Sequence, residues 1–255
     1  MKFENTLVTG FESAVLGLRL PMCVNLAEAI KKLDSKSVYD EGVEDVVYVI
    51  GEDDMRICKN LIKADSKGGG QPNSKFLRMI HVQVAVTAPL YWWKEFDTYK
   101  VGTVANSTST MHKLASTPIT KECFEMDDFE DVKIFRKINY LQEEWETSKD
   151  FWGKLIPYLE QLRIRYNEVM ENKKHLEEIK EFEEAKKAQV MAKKYWKELI
   201  RLLPESWLQT RMLDLNYATL RNIYAWRHNH KLTEWHTFCD WIKTLPYAEE
   251  FLISE

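Results

Sequence analysis

The segment FLRMIHVQVAVTAP, from Phe76 to Pro89, constrains the fold more than any other part of the sequence. Its residues alternate in polarity, β-branched side chains are frequent, and the alternation stops at a proline. This period of two predicts a strand, which we place from Leu77 to Thr87. Pro89 suits the first turn of a helix, because its missing N–H would be unpaired there in any case. A strand that leads into the aromatic helix LYWWKEF indicates a fold with both α and β elements.

Composition narrows the class of protein. The 255 residues are 45% hydrophobic and 12% aromatic, which is enough for the core of one large domain or two small ones. The net charge of −4 provides no overall basic field, so duplex DNA is not an expected partner. No apolar run is long enough to cross a membrane, and the N-terminus has no cleavage-site pattern. We therefore expect a cytoplasmic protein without a membrane partner.

Four cysteines are scattered along the chain and form no C-x-x-C pair. This pattern argues against a zinc ribbon or a disulfide framework and fits a reducing compartment. We predict that all four are buried thiols. They are Cys23, Cys58, Cys123 and Cys239.

The N-terminal part has the pattern of a mixed α and β region. GFESAVLGLRL predicts a short helix, EDVVYVIG a β-rich run that ends at Gly51, and EDDMRICKNLIKA an amphipathic helix that begins with acids. The glycine-rich segment at 65–75 is typical of a mobile loop, either a lid or a slack connection.

The second half is predicted to be mostly helical. Helical character extends from Ile134 to Leu203, with dense alternating charge in an insert at about 156–203. The insert is either a solvated helix or hairpin, or an arm for nucleic acid, and the balance of acids and bases favours the first. After a Leu-Pro break, a short β-like run leads into a long helix from about Asn216 to Lys243.

Two residues of this last helix share one face. Asn216 and Arg227 are eleven residues apart, which places them at nearly the same azimuth and about 16 Å apart along the axis. An arginine that continues an apolar stripe must meet an acid or an anion, since an unpaired buried guanidinium is costly. The sequence leaves two alternatives for Arg227: an ordinary salt bridge, or a bound phosphate or nucleobase carbonyl.

Other recognisable sites have little support. The pairs His230/Glu234 and His236/Asp240 have i,i+4 spacing, but six residues of offset turn them to different faces, so we predict no metal site. The sequence has no P-loop, no G-x-S-x-G and no G-x-G-x-x-G, which removes the sequence basis for Walker-type, hydrolase-elbow or Rossmann sites.

The segment LLPESWLQTRMLDLNYATLRNIYAWR resembles the C-terminal pattern of the flavin-dependent thymidylate synthases, the ThyX family. That pattern has a Leu-Pro, a threonine a few residues later, an asparagine, a middle asparagine or histidine, and a final arginine. The resemblance implies that Asn216 and Asn222 contact a flavin. It also implies that Arg227 holds the pyrimidine of dUMP and takes part in catalysis.

The segment APLYWWKEFDTYKVGTVANSTSTMH is similar to the part of the family that ends in the signature RHR and a later serine. Here Thr98, Tyr99 and Lys100 occupy the positions of the RHR triplet, and by the resemblance they bind the cofactor. The positions of a family glutamine, acid, serine and phosphate-binding arginine fall on Glu95, Asn106, Thr108 and Thr110. The resemblance makes Asn106 a cofactor contact and makes Glu95, Thr108 and Thr110 substrate contacts.

The resemblance implies a single α+β domain over residues 1–255, with an antiparallel-rich mixed sheet flanked by long helices. It also implies FAD as cofactor, NADPH and methylenetetrahydrofolate as co-reactants of an active enzyme, and a homotetramer or dimer with shared sites. Asn222, six residues after Asn216, is expected to point away from the Asn216/Arg227 face and to serve a neighbouring site.

The signature loop departs from the family. Thr-Tyr-Lys in place of Arg-His-Arg removes a guanidinium fork, and Thr110 offers a phosphate only one neutral hydrogen bond. The loss of two or three charge-assisted bonds of about 1.5–3 kcal/mol each would weaken the binding of a dianionic nucleotide by orders of magnitude without new cations. Local candidates are Lys94, Lys100 and Lys113.

Three functions remain open. We favour a diverged ThyX-like protein that binds a nucleotide or a flavin in a pocket built from the 98–110 loop and the 216–227 helix. The alternatives are an active thymidylate synthase that converts dUMP to dTMP, and a non-catalytic protein that sequesters a nucleotide or binds a partner. The polar run TVANSTSTMH has its own two interpretations, a pocket wall or only a capped turn.

Overall fold

The computed structural model describes residues 1–42, 45–65, 72–109, 113–127, 129–139 and 142–253. The chain divides into two compact units. The first consists of Met1–Thr87, Lys94–Asn106 and Thr210–Glu255, and the second of Ala88–Trp93 and Ser107–Gln209. The single domain predicted over residues 1–255 stays a prediction.

A four-stranded sheet has the strand order β1-β4-β8-β5. Its strands are β1 (Lys2–Thr9), β4 (His81–Pro89), β8 (Leu208–Asn216) and β5 (Thr103–Ser107). β1 pairs antiparallel with β4, from Lys2 opposite Thr87 to Thr9 opposite His81. The alternation predicted for β4 is confirmed, since Val82, Val84, Val86 and Ala88 are fully buried.

The strand begins later than the sequence predicted. Residues Lys75–Met79 form a 3₁₀ turn in which Phe76 and Leu77 are buried. Because a tight turn buries these two apolar neighbours together, the apolar pattern starts before the extended backbone does. The predicted loop at 65–75 falls largely outside the described residues. Its described end is tied to the preceding helix, because Asn73 and Ser74 donate hydrogen bonds to the Asp65 carboxylate.

The first unit also contains a β-hairpin and several helices. The hairpin strands β2 (Lys36–Asp40) and β3 (Asp45–Val49) pair antiparallel as a separate two-stranded sheet. The predicted N-terminal helices are confirmed. The helices are α1 (Phe11–Arg19), α2 (Leu26–Lys32), α3 (Glu52–Asp65), α7 (Tyr217–Arg227) and α8 (Thr233–Lys243), and α4 (Leu90–Phe96) ends in this unit.

The single long helix predicted from Asn216 to Lys243 is wrong, because the chain breaks between α7 and α8. The His230 N–H donates to the Arg227 carbonyl, an i→i+3 bond that tightens and ends the ladder. The sequence HNHK at 228–231 has no apolar side chain to extend the buried stripe, which explains why the helix stops there.

The second unit contains a long helical hairpin. Helix α5 covers Ser148–Glu178 and α6 covers Phe182–Leu202, so the helical character predicted for residues 156–203 is present except at the turn between the two helices and at the last residue. That this stretch is an insert in a single domain stays a prediction. Thr147 and Asp150 form a capping box at the start of α5. Among the described residues of this unit, one buried apolar cluster contains Leu114, Ile119, Phe124, Leu159 and Leu199.

The prediction of helix from Ile134 onward is wrong for its first residues, which form strands. Strands β6 (Lys133–Asn139) and β7 (Gln142–Thr147) form an antiparallel hairpin before α5. Arg136 lies opposite Trp145, and the Lys133 ammonium lies 5.6 Å from the Trp145 ring centroid. Cross-strand pairs of this kind stabilise a hairpin whose charged residues fit a helical pattern equally well.

The prediction of four buried thiols is half right. Cys58 and Cys239 are buried, whereas Cys23 and Cys123 are half-buried. The last two cysteines lie in short 3₁₀ segments or beside them rather than on core faces.

In the described residues, no single helix has the length and apolarity needed to cross a membrane. The bent helix pair Phe11–Met22 and Leu26–Lys32 would be long and apolar enough by length and composition alone.

Candidate functional site

A cavity of about 830 Å³ lies entirely within the first unit. Four parts of the chain surround it: the end of α3, the turn before β4, the segment 98–102, and α7. The lining residues are Ile62, Asp65, Ser74, Arg78, Thr98, Tyr99, Lys100, Val101, Gly102, Asn216, Ala218, Thr219, Arg221, Asn222 and Trp226.

Asn216 begins α7 and is buried beside the cavity. It has extended backbone angles, φ −112° and ψ 165°, and its side-chain oxygen accepts a hydrogen bond of 3.0 Å from the Thr219 N–H. This is an N-cap, which leaves the amide group of Asn216 at the positive end of the helix. The start of α7 therefore places a polar cap side chain in the cavity wall.

Asn216 and Asn222 line the same cavity, so the expectation that Asn222 points away from Asn216 is wrong. The rotation of about 100° per residue applies only between helical residues, and the cap residue is not helical. Both residues are therefore available to a ligand in one cavity.

The segment Thr98 to Gly102 is attached closely to the start of α7. Thr219 donates its hydroxyl to the Val101 carbonyl at 3.0 Å. Gly102 has φ +71°, and a Cβ at this position would lie 2.4 Å from Nδ2 of Asn216. Only glycine fits here without moving the cap. The close approach brings the predicted residues Thr98, Tyr99 and Lys100 to the cavity wall.

The charged groups of the cavity are mainly positive. Arg78, Lys100 and Arg221 line it, against one acid, Asp65. Within the part of the chain that the structure describes, Arg78 and Lys100 make no ion pair. Burial lowers the pKa of Arg221, and the nearby charge of Asp65 opposes this effect. Nη1 of Arg221 donates a hydrogen bond to the Phe251 carbonyl at 3.1 Å.

Asp65 is buried, and its carboxylate accepts hydrogen bonds from the backbone and side chains of Asn73 and Ser74. Burial alone would raise its pKa, but hydrogen bonds from Ser74 and Asn73 hold the pKa below its ordinary value. The acid is therefore ionised and fully occupied by these donors. The cavity is left with cations at Arg78 and Lys100 that suit an anionic ligand.

Arg227 is held by an acid rather than facing the cavity. Its Nη1 lies 2.9 Å from Oε2 of Glu95, and its Nε donates to the Tyr99 hydroxyl at 2.8 Å. The guanidinium carbon lies 4.6 Å from the Trp235 ring centroid, and the indole N–H of Trp235 donates to the same Glu95 oxygen at 3.0 Å. Of the two alternatives from the sequence, the structure shows the salt bridge. A contact of Arg227 or Glu95 with substrate stays a prediction.

The other predicted residues lie apart from this arrangement. Asn106 is exposed on β5 and does not line the cavity. Thr108 belongs to the second unit, where its carbonyl accepts from the Gln209 side-chain amide at 3.0 Å. Thr110 lies outside the described residues. The roles of these three in binding stay predictions.

Sequence reasoning missed several wall residues, most importantly Arg78 and Arg221. Arg78 lies in the turn that precedes β4, and its charge within an apolar run was the available signal. Arg221 precedes Asn222 in the segment that was compared with the family, and nothing in the sequence marks it as a wall residue. Only the tertiary fold brings these cations together.

Among the described residues, no group of three or more His, Cys, Asp or Glu side chains is placed to hold a metal ion. The His230/Glu234 pair does not lie on one helix, because α8 begins at Thr233. The i,i+4 spacing of His230 and Glu234 in the sequence therefore does not place them on one face of a helix.

Comparison with solved structures identifies the fold. ThyX of Helicobacter pylori, solved with FAD and dUMP, matches with a TM-score of 0.56 and 14% identity, over 98% of each chain. A second structure of that enzyme with FAD and dUMP matches with a TM-score of 0.58 and 12% identity, over 99% of this chain and 97% of the other.

A weaker match is the UMP/dUMP methylase PolB of Streptomyces cacaoi bound with 5-Br dUMP. It has a TM-score of 0.47 and 12% identity, over 97% of this chain and 94% of the other. No protein-family model and no curated protein sequence matches the chain. The two stronger matches confirm the predicted α+β class: the chain has the fold of the flavin-dependent thymidylate synthases.

Proposed function

We propose that the chain binds a nucleotide or a flavin in the cavity at the start of α7. One observation carries the proposal: a cavity of about 830 Å³ whose wall combines the cations Arg78, Lys100 and Arg221 with the cap amide of Asn216. Cavities of roughly 300–1,000 Å³ hold ligands of cofactor size, and guanidinium groups near a helix N-terminus bind phosphate. Tyr99 and Trp226 add aromatic surface for a planar ring.

The fold supports the same ligand class, since the matched Helicobacter pylori enzyme was solved with FAD and dUMP. FAD fits the donor set, because its diphosphate needs cations and its ring system needs flat apolar surface. Thr98, Tyr99, Lys100, Asn216 and Asn222 would hold it. Bound FAD would supply hydride-transfer chemistry.

The two remaining functions are kept as alternatives. An active thymidylate synthase would additionally bind dUMP, methylenetetrahydrofolate and NADPH, and would work as the homotetramer or dimer that the resemblance implies. The ion pair of Arg227 with Glu95 counts against this alternative, because a ligand carbonyl would have to compete for the guanidinium. A protein that only sequesters a nucleotide would need no such competition.

The first experiment is mass spectrometry of the small molecules released when freshly purified protein is denatured, together with its visible absorbance. Stoichiometric FAD or a nucleotide supports the proposal. If the preparation is empty, titration with FAD, FMN, dUMP and ATP follows. Failure of all four to bind would refute it. Formation of dTMP from dUMP with the full set of co-reactants then separates the enzyme from the binding protein.

Two matched variants locate the site. Arg78→Ala should weaken a phosphate-bearing ligand about tenfold or more, because a charge-assisted bond is worth about 1.5–3 kcal/mol. Arg56→Ala is the control, since Arg56 is also exposed in this unit but does not line the cavity and pairs with Asp53 at 2.6 Å. Equal losses in both variants would place the ligand elsewhere.

A further inference from the structure

The hairpin of β2 and β3 is largely exposed in the part of the chain that the structure describes. All five residues of β2 are exposed. The exposed side chains include Val38 at 38%, Tyr39 at 60%, Val46 at 60% and Val47 at 38%. An isolated two-stranded hairpin is marginal in water, and an edge strand with apolar side chains is a template for another strand.

The two edges of this hairpin differ. On the outer edge of β3, the Tyr247 hydroxyl donates to the Tyr48 carbonyl and accepts from the Ile50 N–H, each at 3.0 Å. That edge is therefore already in use. Because the Tyr48 backbone points away from β2, its neighbours Val47 and Val49 are the β3 residues that bond to Val38 and Lys36.

It follows that Ser37 and Tyr39 direct their N–H and C=O groups to the free edge of β2. No hydrogen bond of these groups to another described segment is present. Lys36, Val38 and Asp40 alternate with them and share one face of the hairpin. The free edge thus offers a short, regular row of donors and acceptors.

The sequence of β2, KSVYD, is complementary to itself. In an antiparallel pair, residues with outward backbone groups must lie opposite each other, which restricts the centre to Ser37, Val38 or Tyr39. A pair centred on Val38 places Lys36 of each copy opposite Asp40 of the other and joins Ser37 to Tyr39 by backbone bonds. The other two centres leave Lys36 opposite Val38 or Gly42, without an acid.

We propose that β2 pairs with β2 of a second copy of this chain, antiparallel and centred on Val38. The pairing converts two exposed hairpins into one four-stranded sheet. Val47 and Val38 of one copy then continue across the axis as an apolar row into Val38 and Val47 of the other. Asp40 already accepts from the Gly42 N–H through Oδ1, and its other carboxylate oxygen remains for Lys36. This contact does not depend on the proposed ligand.

Disulfide trapping tests the register directly. Val38 lies on the two-fold axis as a non-hydrogen-bonded pair, with Cα atoms about 4.5 Å apart, a distance that a disulfide accepts. Val38→Cys in the full chain should form a covalent dimer on mild oxidation. Val47→Cys is the matched control, equally exposed on the same face but one strand away from the axis. Trapping of V38C no greater than that of V47C or of the unchanged chain would overturn the proposal.

Charge exchange supplies a second test that needs no disulfide. Lys36→Glu and Asp40→Lys should each weaken the dimer about tenfold in sedimentation equilibrium, since two attractive pairs become repulsive. An equimolar mixture of the two variants should associate more tightly than either alone, because both cross-pairs become attractive. A mixture that associates no better than its components would also overturn the pairing.

Discussion

Gly102→Ala tests how the cavity wall is held. The added Cβ would lie 2.4 Å from Nδ2 of Asn216 and 3.3 Å from Oγ1 of Thr219, so the cap side chain must move. Loss of an N-cap costs about 1 kcal/mol. An L residue at φ +71° costs about 1–2 kcal/mol more. We expect the first unit to lose about 2–3 kcal/mol in its free energy of unfolding.

The assay combines urea unfolding with hydrogen exchange. The Thr219 N–H should exchange faster in the Gly102→Ala variant, because it donates to the displaced Asn216 oxygen. Gly153→Ala is the control. Gly153 is an exposed helical position of α5 with open space where an alanine methyl group would lie, and alanine should stabilise the helix by about 0.5–1 kcal/mol.

The result that would refute this reasoning is a Gly102→Ala protein within about 0.5 kcal/mol of the parent, a size typical of neutral surface substitutions. Unchanged exchange at Thr219 with reduced stability would also refute it, since the loss would then arise away from the cap. If the proposed ligand site is correct, the same variant weakens FAD or nucleotide binding, and Gly153→Ala does not.

Three further predictions concern buried and half-buried groups. Burial would raise the pKa of Asp54, but hydrogen bonds, one of them from an arginine, hold this pKa below its ordinary value. The ionised carboxylate therefore stabilises the fold fully above the pKa that Asp54 has in the unfolded chain. This stabilisation is lost as the pH falls through the pKa of Asp54 in the folded protein. Asp54→Asn should cost about 3 kcal/mol at neutral pH and flatten the acid limb of unfolding. Glu95→Ala should cost about 1–2 kcal/mol, because it leaves the Arg227 guanidinium without its acid, and thermal unfolding measures this. Cys58 and Cys239, whose pKa values burial raises to about 12 and about 11, should not react with a thiol reagent in the folded protein.

Each of these has a control. Asp53→Asn, next to Asp54 but largely exposed, should leave stability within about 0.5 kcal/mol of the parent. The control for Glu95→Ala is Asp97→Asn, which removes the exposed acid that pairs with Arg211. It should lower the free energy of unfolding by less than Glu95→Ala does. Cys23 and Cys123 should react first, and reaction of all four thiols at similar rates in the folded state would contradict the burial argument.

Local patterns predicted the elements in which one interaction dominates. The valines of β4 alternate because one face is buried, and the acids at the start of α3 mark a helix start. Patterns failed where two structures fit the same residues. KIFRKIN at 133–139 accommodates a charged helix as well as a strand, and pairing with β7 decides between them.

The site was predictable only in part. The comparison of motifs led to Tyr99, Asn216 and Asn222, which the fold brings to one cavity. It did not lead to Arg78, because a cation in a turn before a strand has no periodic signature. The choice of partner for Arg227 depends on Glu95, more than a hundred residues earlier, and no local rule connects them.

The discontinuous make-up of the first unit has a consequence for synthesis on the ribosome. Its last segment is separated from the first two by the stretch that forms most of the second unit, Ser107–Gln209. Because the chain emerges from its N-terminus, the second unit is complete in sequence before the last segment of the first unit exists. Until this last segment emerges, Phe3 lacks Trp241, and Phe11 lacks Tyr217 and Tyr247. Phe3 and Phe11 therefore stay without these aromatic partners while the whole of Ser107–Gln209 is translated, so the first unit can complete its packing only after synthesis of the second.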